Sequence, residues 1–131
     1  MRDLKEHLDF ELNERFLFEM AQIGDLDNKL IIYVRSNEGG NIPHFHIVDK
    51  QTLGSKFHTC VKIENATYFH HTGKEDILNS KQRKRLVDFL NSMTPLEHTY
   101  WEFLLLTWNI NNSNRKVAIT VHFCILMATS A

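Results

Sequence analysis

The chain has 131 residues, 43% of them hydrophobic and 24% charged, so it can bury a core without metal or disulfide staples and is too apolar for disorder. A net charge of -1 removes any global field that would attract nucleic acid or an anionic membrane. No apolar run approaches the ~20 residues of a membrane helix, and the first residues lack the apolar segment of a signal peptide.

A single α+β domain over residues 1–131 is expected, with a mainly antiparallel sheet of about five or six strands packed against two or three helices. Residues 3–13 read as a helix, with Leu4, Leu8 and Leu12 at i, i+4 spacing. Phe16, Phe18 and Met20 alternate with Leu17, Glu19 and Ala21 as in a strand. Gly24 to Asn28 is turn chemistry, and Leu30 to Arg35 is a β-branched and aromatic run, which together predict an antiparallel hairpin. Pro43 leads into a strand from His44 to Asp49, and Phe57 to Glu64 is the next. Asn65-Ala66 is a tight turn, and Thr67 to His71 a short return strand.

Two helices follow. Asn79 and Gln82 have capping-box spacing before the apolar face of Leu86, Val87, Phe89, Leu90 and Met93. Thr94, Pro95 and Glu97 predict the start of the second, whose body from Tyr100 to Ile110 is apolar nearly all round. A helix of that kind is central to a core or buried in an interface. Asn111 to Asn114 ends it, and Val117, Ile119, Val121, Phe123 and Ile125 alternate as a final strand. The two cysteines, Cys60 and Cys124, fall in strand-like segments and read as reduced thiols, the pattern of a cytoplasmic protein.

Eight histidines are the compositional oddity. Alternation puts His44, His46 and Val48 on one face of their strand and Phe45 and Ile47 on the other. In the next strand Phe57, Val61 and Ile63 form the apolar face, while His58, Cys60, Lys62 and Glu64 face away. Antiparallel pairing with the apolar faces aligned makes His44, His46, His58 and Cys60 project together on an exposed face. The turn at Asn65-Ala66 then adds His71 opposite Cys60.

Three chemical readings of this face stand beside a simple ligand- or partner-contact role. The plainest is a solvated, histidine-rich surface. His44, His46, His58, Cys60 and His71 also form a ligand set for zinc or another transition metal. Without metal, His44, His46, His58 and His71 are acid–base candidates, with Lys62 steadying an anionic substrate. Lys81, Arg83, Lys84 and Arg85 form the only dense positive run. It reads as a solvated helix face, with Glu75 and Asp76 upstream to offset it, or as a local nucleic-acid contact.

Ile42-Pro43-His44-Phe45-His46 resembles the Pro-Pro-His-Phe-His signature of a family of small bacterial domains of unknown function, with Ile42 in place of the first proline. The hydrophobic strand before the motif, the later strands, Leu86 to Leu90 and Trp108 fall in the order found in that family. Phe18 to Ala21 is similar to a Phe-Glu-Met-Ala segment in small proteins carried on mobile elements of gut Bacteroidetes. The resemblance implies an accessory protein that binds a protein partner or forms a homo-oligomer, in a toxin–antitoxin-like or defence setting. The rival expectation is a metal-dependent or histidine-based hydrolase, such as a ribonuclease, centred on the histidine cluster.

Overall fold

A computed structural model describes residues 20–36, 42–70 and 72–123. The helix expected over 3–13, the start of the first strand, His71 and Cys124 with Ile125 lie outside the described residues. The described chain is α+β: a four-stranded antiparallel sheet in the order β1-β2-β3-β4, followed by two helices. The strands are β1 (Met20–Asp25), β2 (Leu30–Arg35), β3 (His44–Asp49) and β4 (His58–Lys62), and the helices are α1 (Ser80–Leu90) and α2 (Tyr100–Asn111).

The expected hairpin forms. Asp27 accepts from the N–H groups of Lys29 and Leu30, the local bonding that makes Asp a turn residue. A bulge between Gln22 and Gly24 shifts β1 against β2. A Cβ at Gly24 would stand 2.6 Å from the tip of the Phe89 ring on α1, so any larger residue there requires that ring to move. Ile32, Val34, Phe45, Ile47 and Val61 face the helices and meet Leu86, Leu90, Leu104 and Trp108 in the main core. Each such side chain contributes roughly 1.5–3 kcal/mol by burial.

β3 and β4 are joined by a loop built around Asp49, which accepts from Thr52 N, Thr52 Oγ1, Gly54 N, Lys56 N and Phe57 N. The Thr52 hydroxyl, more than any other group, holds the Asp49 carboxyl well below the usual carboxylate range. Burial opposes this, and the backbone N–H groups of Thr52, Phe57 and Gly54 reinforce it. A depressed folded-state pKa contributes stability that is complete above ~4 and lost as pH falls further. Asp49→Asn is therefore expected to lower the melting temperature at pH 7, and its gap from the parent protein should narrow on titration below pH ~4.

Three expectations are corrected. The return strand from Thr67 is a single bridge, Val61 to Tyr68, because β4 shares its outer edge between two short segments. Phe69 N donates to Cys60 O, and further along the edge Asp76 N donates to His58 O. The second helix is capped by Thr99 and Glu102, not by Thr94 and Glu97. The sequence holds two Thr-x-x-Glu boxes in succession, and the first closes only a turn, with Glu97 at φ 65. Replacing Thr99 by Ala is expected to cost about 1 kcal/mol or more in urea unfolding, since its hydroxyl also donates to Val121 O.

The third correction concerns the final strand. Residues 117–123 form no strand, because side chains on and before α2 take their backbone bonds. Asn109 holds Val117 from both sides, Thr99 holds Val121, and Asn91 Oδ1 accepts from Phe123 N. Phe123 is buried while Ile119 and Val121 are exposed.

Candidate metal centre

The register of β3 on β4 pairs His44 with Lys62, His46 with Cys60 and Val48 with His58. His44, His46, His58 and Cys60 therefore project from one face, as alternation requires. That face is not exposed. His44 is 0%, His46 1% and Cys60 0% accessible, and Ile31, Tyr33 and Val48 form a second apolar cluster. The His46 ring lies 4.8 Å from that of Tyr33 at 9°, and Phe69 sets its edge against His44 at 4.9 Å.

Inside this layer three donor atoms converge. His46 Nδ1 is 3.0 Å from His58 Nε2, and Cys60 Sγ is 3.3 Å from the first and 3.4 Å from the second. Cys60 stands as a thiol rather than in a disulfide. Metal–nitrogen and metal–sulfur lengths of ~2.05 and ~2.3 Å put tetrahedral edges at ~3.3 Å for N···N and ~3.6 Å for N···S. The observed triangle keeps that order and is a few tenths of an ångström (~0.2–0.3 Å) tighter. Without an ion, the same atoms can share their protons as an N–H···N bond and a weak S–H donor.

Two more residues stand beside the triangle. Donor atoms of His44, His46 and Cys60 lie within 4.8 Å of one another, as do those of His58, Cys60 and Glu75. His44 Nδ1 donates to Ile42 O at 2.7 Å, which fixes Nε2 as the basic nitrogen of that ring in its neutral form. Glu75 arrives from the loop after β4. Asp76 pins that loop to the sheet edge, its N donating to His58 O at 2.7 Å and its Oδ2 accepting from His58 N at 2.9 Å. Thr72 donates from N and Oγ1 to the Glu75 carboxylate and fixes its orientation.

His46, His58 and Cys60 of the expected ligand set thus come together, with His44 adjoining and His71 outside the described residues. Lys62 stands opposite His44 across the two strands, its Nζ 6.0 Å from the Phe69 ring centroid. Sequence reasoning missed Glu75 as a donor, because no strand or helix periodicity reaches a loop residue. With a thiolate, a carboxylate and two neutral imidazoles, a divalent ion would leave the half-buried site electrically neutral.

The basic run is largely engaged within the chain. Arg83 donates to Leu78 O and Ser80 Oγ, Lys84 pairs with Asp88 at 3.0 Å, and Arg85 reaches Asp27 at 3.7 Å. No described helix is long and apolar enough to cross a membrane.

No family model, curated protein or solved structure matches this chain.

Proposed function

We propose that the chain is a small metal-binding accessory domain whose centre is His46, His58 and Cys60, with Glu75 as the fourth donor. The triangle of 3.0, 3.3 and 3.4 Å between Nδ1, Nε2 and Sγ carries this reading. Zinc is the ion favoured by a two-nitrogen, one-sulfur, one-oxygen set near tetrahedral spacing. Full burial of His46 and Cys60 suits a structural ion that ties β3, β4 and the following loop together.

The test is elemental analysis of protein purified without a histidine tag. Close to one equivalent of transition metal is expected, and His46→Ala or Cys60→Ser should remove it. Metal-free protein that takes up none on titration sinks the proposal.

The accessory role, binding a partner in a toxin–antitoxin-like or mobile-element setting, is carried by the resemblance in Ile42 to His46. Exposed Met93 and Val121, which flank Thr99, are side chains that such a partner or a second copy would cover. Light scattering and affinity capture test it, and a strict monomer with no partner argues against it. A metal-dependent hydrolase is the second reading, supported by the half-buried Glu75 beside the cluster. There His46, His58 and Cys60 would hold the ion, which would supply Lewis-acid activation of water, and Glu75 would serve as general base instead of binding the ion.

A further inference from the structure

Residues 72–78 form a strap that joins β4 to α1 along the open edge of the sheet. Thr72, Gly73, Lys74, Asp76 and Ile77 are all exposed, and only Glu75 and Leu78 turn inward. Asp76 makes the two bonds to His58 described above, and Leu78 N donates to Tyr68 Oη at 2.9 Å. Leu78 O accepts from Arg83 on the first turns of α1, so the strap and helix are one joint. A segment this exposed, outside any strand or helix, opens more readily than the core. Yet it places a carboxylate within 4.8 Å of donor atoms on His58 and Cys60.

We propose that Glu75 is a metal-operated clasp: a divalent ion held by His46, His58 and Cys60 draws in Glu75 and closes residues 72–78 over the site. The clasp rests on the metal-centre reading and adds to it the part of the chain that the ion controls. Carboxylate and thiolate repel when they face each other alone, whereas an ion between them attracts both. Ion binding to the closed form lowers the population of the open form in proportion to saturation. Loss of the ion therefore frees the strap, uncovers the Cys60 side of the sheet and releases the start of α1.

The experiment is limited trypsin digestion of the full chain, untagged, with cleavage after Lys74 followed by mass spectrometry. The zinc-saturated and chelator-treated forms are compared. Cleavage at an opening segment tracks the open population, so saturating zinc should slow it by at least about tenfold. Glu75→Gln, compared at cobalt(II) concentrations high enough for the thiolate-to-metal absorption band to show that His46, His58 and Cys60 are loaded, should lose the protection. If the parent protein binds one zinc with Lys74 cleavage unchanged, or the variant is protected equally well, the clasp is wrong and the metal centre stands. If no ion binds at all, both are wrong.

Discussion

Metal-stripped protein is expected to melt roughly 12–20 °C lower than the same protein at a free zinc concentration of ~1,000 Kd. An ion that binds only the folded state adds RT ln(1 + [L]/Kd), about 4 kcal/mol under that condition. In a domain of this size each kcal/mol moves the midpoint by roughly 3–5 °C. His46→Ala and Cys60→Ser should abolish the zinc increment, because each removes a corner of the 3.0, 3.3 and 3.4 Å triangle. His44→Ala is the informative contrast. It removes packing against Phe69 and Trp108 and so weakens the metal-free protein, but should leave most of the increment if Glu75 is the fourth donor. An increment lost in His44→Ala and kept in Glu75→Ala would reassign the fourth position to His44. Since imidazole and thiol must shed protons to bind, the increment should also shrink on acidification.

Strand alternation made part of this site legible. Phe45 and Ile47 had to share the face of Val61, and that forced His46 opposite Cys60. Burial of the histidine face was also present in the sequence, in β2. Leu30 to Val34 is apolar at every position, which is the pattern of a strand covered on both sides rather than one. Reading β3 and β4 alone hid it, because histidine and cysteine look polar until a neighbour covers them. The approach of Glu75 was not legible. It depends on Asp76 bonding the His58 backbone, and such side-chain-to-backbone anchors leave no period in a loop.

The same limit explains the misplaced cap of the second helix and the strand that does not form. Thr94 and Thr99 both head a Thr-x-x-Glu box, so local capping chemistry could not choose between them. Tertiary bonds did: Tyr100 N donates to Ser92 O, and Thr99 is latched to Val121. Val117 to Phe123 carries strand-like alternation, yet Asn91, Thr99 and Asn109 take its backbone groups before a neighbouring strand can.

Phe45→Ala is expected to be the costliest single core substitution in the sheet, at about 3–5 kcal/mol in denaturant unfolding. Phe45 is fully buried, with its ring 6.3 Å from both Trp101 and Phe123, each at 71°. Truncation empties the space where β3, α2 and the segment after α2 meet, and edge-to-face aromatic contacts are lost with it. A loss of that size is a large share of the 5–15 kcal/mol that typically holds a domain folded. Phe45 and His46 are adjacent on one strand but face opposite layers, which makes the pair a test of the whole arrangement. Phe45→Ala should lower stability by the same amount with and without zinc, and His46→Ala should erase the zinc increment. If the double variant combines these effects additively, the aromatic core and the metal centre are independent layers of one sheet. Strong coupling between them would instead show that the ion holds the helices as well as the sheet edge.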